Sequence, residues 1–137
     1  MKLPLTTALV MIALPLLFAE LNLTCNESPS VPMGLWHLTH QPLTRKAYVR
    51  LKMPMKQIAG MAGDTIRVTP EGSYVNGQLW PYTAPITDRH CPFGKYVLKP
   101  GELWLLSSHP FGWDSRYYCA VPESLVDSTA ELLVKQP

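Results

Sequence analysis

Residues 65–79, TIRVTPEGSYVNGQL, carry the clearest structural signal in this chain of 137 residues. Apolar Ile66 and Val68 alternate with polar neighbours, which is the period of a strand with one buried face. The Asn-Gly pair that follows is the strongest short-range signal for a two-residue hairpin turn. The stretch therefore predicts a strand over 65–69 and a hairpin over 73–79.

Further short strands are predicted on both sides of this stretch. They are residues 47–52, 56–61, 96–98, 102–106 and 114–121. The strands 96–98 and 102–106 flank a Pro-Gly turn, so we expect them to pair with each other. Residues 25–34 contain two prolines and a glycine, which exclude a helix or a central strand, and only 122–134 hints at a second helix. The pattern is typical of a mainly β, antiparallel domain.

The composition limits the class of protein. Fourteen of the 137 residues are proline, which is about twice the average frequency and argues against a helix bundle. Only 16% of the residues are charged, the formal net charge is +2, and no run of Lys and Arg occurs. The chain therefore lacks the basic patch that would indicate binding to nucleic acid or, through a polybasic segment, to lipid.

The N-terminal segment is apolar. Residues 3–19 contain no charged side chain and would form a helix about 26 Å long, close to the roughly 30 Å hydrocarbon core of a bilayer. We therefore predict an uncleaved single-span anchor over residues 1–24, followed by one domain over residues 25–137. Lys2 indicates that this domain lies on the extracytoplasmic side.

Two other interpretations of the N-terminal segment stay open. A cleaved signal peptide has the same layout, although Phe18 stands where a small residue would favour cleavage after Ala19. A lipoprotein signal ending at Cys25 would need small residues where Leu23 and Thr24 stand.

The cysteines and histidines indicate a disulfide and no metal site. An extracytoplasmic location permits a disulfide, and Cys91–Cys119 is the pair to test. The chain has no CxxC pair, and its four histidines are scattered. We expect neither a metal nor a cofactor.

Ser30 and Lys56 are the candidate reactive residues. Ser30 lies between Pro29 and Pro32, and a stiff loop can hold a nucleophile in a near-attack geometry. Lys56 follows Met55 in an apolar stretch, so an inward-pointing amine would have a lowered pKa and could accept the proton of a serine hydroxyl. The alternatives are a solvated linker around Ser30 and an exposed Lys56 on a strand edge.

Asp114 and Arg116 form a third candidate group. Residues two apart on a strand share a face, so this pair could form an ion pair. An exposed pair of this kind contributes about 0–1 kcal/mol, so a structural role is the default.

The motifs occur in an order that resembles the type I signal peptidase family. They are Ser-x-Pro-x-Gly, Lys-x-x-x-Gly-x-x-Gly-Asp, Val-Asn-Gly and Asp-Ser-Arg-Tyr. The stretches NESPSVPMGLW, VNGQLWPYTAPI and ELWLLSSHPFGWDSRYYCAVP are most similar to the TraF-type peptidases of conjugative transfer systems. The resemblance implies an antiparallel β domain of coiled sheets, preceded by one transmembrane helix.

The resemblance also implies a role for each site residue. Ser30 matches the nucleophile and Lys56 the general base of a serine–lysine dyad. Ser28 matches a hydroxyl that helps to stabilise the oxyanion. Asp114 and Arg116 match a pair that supports the site without taking part in the chemistry.

Two positions depart from the family pattern. Many signal peptidases carry a serine that holds the lysine amine where this chain has Gly112, so we expect Ser107 or Ser108 to orient Lys56 instead. The residue after the lysine, often arginine in the family, is Gln57.

The implied function is a serine endopeptidase, anchored in the cytoplasmic membrane with its domain in the periplasm. Its expected partners are that membrane and a membrane-tethered precursor, most plausibly a conjugative pilin, without nucleic acid. Hydrolysis and cyclising transfer to an amine both remain open. The alternatives are a non-catalytic single-span scaffold subunit of a pilus or secretion complex, and a soluble self-cleaving repressor with the same dyad.

Overall fold

The computed structural model of the chain describes residues 5–52 and 54–137, within which two helices and eleven strands occur. The helices are α1 (Leu5–Glu20) and α2 (Ser115–Tyr118). The strands are β1 (Leu23–Asn26), β2 (Gly34–Thr39), β3 (Tyr48–Leu51), β4 (Lys56–Gly60), β5 (Thr65–Thr69), β6 (Gly72–Val75), β7 (Gln78–Leu79), β8 (Gly94–Val97), β9 (Glu102–Leu106), β10 (Val121–Pro122) and β11 (Val126–Lys135). Lys2, on which the predicted orientation depends, lies outside the described residues.

The strands form two sheets, and all of their pairings are antiparallel. The larger sheet has the order β1-β2-β11-β3-β4-β9-β10, and the smaller sheet has the order β7-β6-β5-β8. The predicted mainly β, antiparallel architecture is therefore confirmed. Strand β11 pairs with β2 on one side and with β3 on the other.

The stretch that opened the sequence analysis folds as predicted. Strand β5 has the predicted bounds, and β6 and β7 form the hairpin. Asn76 and Gly77 both have positive φ, 50° and 86°, as a two-residue hairpin turn of the favoured type requires.

The predicted pairing of residues 96–98 with 102–106 is wrong. Strand β8 pairs with β5 in the smaller sheet, whereas β9 pairs with β4 and β10 in the larger one. Leu98 exchanges backbone hydrogen bonds with Gly63 and Asp64, at 2.8 and 3.0 Å. The chain does turn at Gly101, but these bonds hold the segment before the turn in the smaller sheet, whereas β9 after the turn belongs to the larger sheet.

The predicted strand over 114–121 is also wrong over most of its length. The Asp114 side chain accepts a hydrogen bond from the backbone N–H of Arg116 and caps the short helix α2. This capping bond favours a helical turn over an extended chain. Cys119 then ends the helix with a φ of 64°, and only Val121–Pro122 is extended.

Residues 122–134 do not form the helix that the sequence suggested. A single 3-10 turn, Glu123–Leu125, precedes the ten-residue strand β11. Residues 128–130 of β11 are buried between β2 and β3. Hydrogen bonds to two distant strands outweigh the weak local helical pattern here.

Helix α1 occupies the middle of the predicted anchor. It has 16 residues and is therefore about 24 Å long. Most of its large apolar side chains are more than half exposed, namely Leu9, Val10, Met11, Ile12, Leu14, Leu16 and Leu17. Within residues 5–52 and 54–137, no helix combines the length and apolarity needed to cross a membrane.

Three apolar clusters stabilise the domain. The first lies between the two sheets and contains Ala59, Ile66, Val68, Val75, Cys91, Leu98, Trp104 and Leu106. The second contains Val49, Ile58, Leu103, Leu105 and Val121. The third, which we call the dyad core, contains Val31, Trp36, Met55 and Ala130. A disulfide joins Cys91 to Cys119, the pair favoured by the sequence.

Candidate active site

The dyad core brings two distant chain segments together. Val31 follows Ser30 in sequence and Met55 precedes Lys56, and both apolar side chains are buried in this cluster. The Trp36 indole N–H also donates to the carbonyl of Pro32 at 3.1 Å. Burying these side chains together therefore fixes the Ser30 loop against the start of β4.

Ser30 and Lys56 are in direct contact. Lys56 Nζ donates to Ser30 Oγ at 3.0 Å. Lys56 is only 4% exposed and Ser30 only 8%. Ser30 Oγ is the one hydrogen-bond partner that the described residues give the amine. The structure thus brings together the two residues selected from the sequence, whose catalytic roles remain a proposal.

The pKa of Lys56 lies below its ordinary value of 10.5. Burial is the main cause, because it removes water from the ammonium. The negative charge of Asp114 opposes this shift, and the positive charge of Arg116 adds to it. A larger share of the amine is therefore neutral near physiological pH than in an exposed lysine, and a neutral amine can accept the Ser30 proton.

Ser28 completes a group of three hydrogen-bonded side chains. Its hydroxyl donates to Ser30 Oγ at 3.1 Å and accepts from the backbone N–H of Ser30 at 3.4 Å. The hydroxyl and that N–H therefore lie next to each other and close to Ser30 Oγ. An oxyanion site needs two such donors turned to one substrate oxygen.

Neither serine expected to orient Lys56 donates to its amine. Ser108 binds the carbonyl of Ser30 through its backbone N–H at 2.9 Å and its hydroxyl at 3.3 Å. The Ser107 hydroxyl donates to Asp114 Oδ2 at 3.0 Å. Ser108 therefore holds the Ser30 loop, and Ser107 belongs to the network around Asp114.

The packing around Ser107 explains the glycine at position 112. A Cβ atom placed on Gly112 would lie 1.5 Å from Ser107 Oγ and 2.6 Å from Ser107 Cβ. The Ser107 side chain thus fills the space that a larger residue at 112 would need. The antiparallel strands β4 and β9 pair Gln57 with Leu106. The next position along this register therefore places Ser107 across from Lys56.

Asp114 and Arg116 form a buried ion pair, both 0% exposed. Arg116 Nε and Nη2 bind the two carboxylate oxygens of Asp114 at 2.8 and 2.9 Å. Arg116 Nη1 also donates to the carbonyls of Tyr82 and Pro110 at 2.9 and 2.7 Å. The pair therefore ties Ser107, which lies across from Lys56 in the strand register, to two loops. It forms around a helix cap rather than on a strand face.

Asn26 is the site residue to which the sequence analysis gave no role. Its side chain is buried and bonds to four backbone groups of the loop that carries Ser30. The bond from the Ser28 N–H to the Asn26 side chain is of a common type, because Asn side chains often accept from the N–H two residues further on. The other three involve backbone carbonyls, which the residue pattern does not reveal.

A cavity with a mixed polar and apolar wall lies close to the Ser30 loop. Its volume is about 490 Å³, and its wall contains Ser108, the apolar Leu79 and Trp80, and the basic Arg45 and Lys46, but neither Ser30 nor Lys56. In the part of the chain that the structure describes, no group of three or more His, Cys, Asp or Glu residues could hold a metal ion.

No protein-family model matches the chain, and no curated protein matches its sequence. Among solved structures, the chain is similar to a signal peptidase I from Enterococcus faecalis V583. The two share 17% sequence identity with a TM-score of 0.45, and the match covers 70% of this chain and 100% of that chain.

Proposed function

We propose that this chain is a serine endopeptidase in which Ser30 is the nucleophile and Lys56 is the general base. The observation that carries the proposal is the 3.0 Å contact between Lys56 Nζ and Ser30 Oγ in a buried setting. A nucleophile and a base within hydrogen-bond reach are what covalent catalysis by serine requires. The lowered pKa of Lys56 supports the same assignment.

The reaction follows from the positions of these groups. Neutral Lys56 accepts the Ser30 hydroxyl proton while Ser30 Oγ attacks the scissile carbonyl carbon. The Ser30 backbone N–H and the Ser28 hydroxyl then donate to the oxyanion, a contribution of about 3–4 kcal/mol for one such donor in other enzymes. The Lys56 ammonium protonates the departing amine, and water, or another amine, releases the acyl group from Ser30.

We further propose that α1 belongs to a membrane anchor and that the domain acts outside the cytoplasmic membrane. Exposed apolar side chains occur from Leu9 to Leu17 in α1, and a helix that is apolar all round favours a hydrophobic environment. An anchored enzyme and a membrane-tethered precursor share a surface, which raises their effective concentration. We therefore favour an exported precursor such as a conjugative pilin as the substrate.

Mass spectrometry of the candidate pilin tests this function. Precursor from cells carrying Ser30→Ala or Lys56→Met should stay uncleaved, while the wild-type chain yields a processed form. The mass of that form distinguishes hydrolysis from cyclisation, which differ by one water. Ser73→Ala and Lys52→Met are matched controls in β6 and on the exposed surface after β3, and both should process normally. Normal cleavage by Ser30→Ala would refute the assignment.

The pH dependence of cleavage tests the lysine base separately. The rate should rise with pH through a midpoint below 10.5, because the neutral amine is the active form and its pKa is lowered. A rate that stays flat between about pH 5 and pH 10 contradicts a titrating lysine base.

A further inference from the structure

Asn26 lies at the end of β1 and is 7% exposed. Its Nδ2 donates to the backbone carbonyls of Ser28, Val31 and Pro32 at 2.8, 3.2 and 3.1 Å. Its Oδ1 accepts from the backbone N–H of Ser28 at 3.2 Å. Two amide hydrogens therefore serve three carbonyl oxygens on both sides of Ser30, so at least one hydrogen is shared.

The Ser30 loop needs such a donor because of its prolines. Pro29 and Pro32 have no backbone N–H. The Ser28–Pro29 and Val31–Pro32 peptide bonds therefore each have a carbonyl acceptor but no N–H donor. A buried carbonyl without a partner is unfavourable. The Asn26 carboxamide provides partners for these carbonyls, and Ser108 provides them for the carbonyl of Ser30.

We propose that Asn26 is a positioning residue for the nucleophile. It acts through the loop: it fixes the backbone on both sides of Ser30 and keeps three carbonyl oxygens directed towards its own amide. Carbonyl dipoles directed at the reacting carbonyl would oppose the negative charge that develops there, whereas fixed N–H donors favour it. This role rests on the function proposed above, because it presumes that Ser30 is the nucleophile.

Asn26→Asp is the sharpest variant, because it preserves size and the acceptor for the Ser28 N–H. It removes both N–H donors and places a carboxylate next to three carbonyl oxygens. Asn26→Ser tests the same loss without a new charge. The measured quantity is the rate at which a fluorophosphonate probe labels the full-length chain in detergent micelles. We expect labelling to slow by about 100-fold in Asn26→Asp, the effect of a nucleophile misplaced by about 1 Å, and by a smaller factor in Asn26→Ser.

A second readout separates positioning from a general loss of structure. If Asn26 only positions Ser30, the uncharged variant Asn26→Ser lowers the plateau of the pH–rate profile while its midpoint, set by Lys56, stays in place. In Asn26→Asp only the plateau is compared, because the new negative charge itself raises the pKa of Lys56. If the site merely loosens, water reaches the amine and the midpoint moves upward. Thr129→Val is the matched control, because it removes hydrogen bonds to Thr39 and Gln41 elsewhere in the larger sheet. It should label at the wild-type rate.

The outcomes distinguish this proposal from the function on which it rests. Slow labelling of both Asn26 variants, with an unmoved midpoint in Asn26→Ser, supports the positioning role. Labelling at the wild-type rate in both variants, or a midpoint of Asn26→Ser that moves together with the plateau, overturns that role. Labelling of Ser30→Ala at the wild-type rate instead overturns Ser30 as the nucleophile, and with it the proposed function.

Discussion

The buried pair of Asp114 and Arg116 predicts two pH shifts of opposite sign. The negative charge of Asp114 raises the pKa of Lys56, and the positive charge of Arg116 lowers it. Asp114→Asn should therefore lower this pKa further and move the rate profile of cleavage to lower pH, because more of the amine is neutral. Arg116→Met should raise the pKa and move the profile to higher pH.

Both substitutions should nevertheless destabilise the fold. Asp114 and Arg116 are 0% exposed and bind each other through two hydrogen bonds, so removing either partner leaves an uncompensated buried charge. Breaking a buried pair in this way costs about 3–5 kcal/mol. For a chain of 137 residues, this corresponds to a loss of roughly 10–17 °C in the thermal midpoint.

The assay measures both quantities on the same preparations. Fluorophosphonate labelling as a function of pH gives the midpoint of the rate profile, and calorimetry gives the thermal midpoint. Asp127→Asn is the matched control, since it disrupts an exposed ion pair with Arg50 and should change neither. Shifts of the pH midpoint in the same direction for both variants would refute the reasoning. A loosened site moves the two midpoints in the same direction, whereas the loss of opposite charges moves them in opposite directions.

Three further predictions follow from the structure. Gly112→Ser should destabilise the fold by about 1–3 kcal/mol, because its Cβ collides with Ser107; urea unfolding should show this loss, and Ser107→Gly in the same chain should restore most of it. Asp64→Asn should lower the free energy of unfolding more at pH 7 than at pH 2, because the pKa of Asp64 is lowered from 3.8 to about 2, chiefly by its hydrogen bond from Arg45, and its stabilising effect declines as pH falls through that range; an equal loss at both pH values would contradict this. Replacing Cys91 and Cys119 by alanine should cost about 3–4 kcal/mol, since the disulfide closes a 28-residue loop, and an unchanged midpoint of urea unfolding would contradict that.

The strands that the sequence predicted well depend on local signals. Strand β5 and its hairpin follow from alternating side chains and from one Asn-Gly turn. Strand β11 does not, because its partners are remote in sequence: Thr129 Oγ1 lies 2.6 Å from Thr39 Oγ1, 90 residues away. The pairing of β8 and β9 failed for the same reason, since each strand found its partner in a different sheet.

The candidate site shows a similar division. The stiff loop of Ser30 and the apolar neighbours of Lys56 are visible in the sequence, and the structure places the two side chains in contact. The cap made by Asp114 could also have been recognised, because Asp is a favoured residue before the first turn of a helix. The bonds from Asn26 to backbone carbonyls could not, because they depend on how the loop is folded.

The position of β11 links the order of synthesis to the assembly of the dyad. This strand lies between β2, which follows Ser30, and β3, which precedes Lys56, and its Ala130 packs in the dyad core. A chain extended only as far as residue 125 contains both reactive side chains but lacks the strand that joins their halves of the sheet. We expect the contact between Ser30 and Lys56 to form fully only when residues 126–135 have been made and have joined these two halves. Under the function proposed above, the chain would then gain activity late in its synthesis, without a separate inhibitory segment.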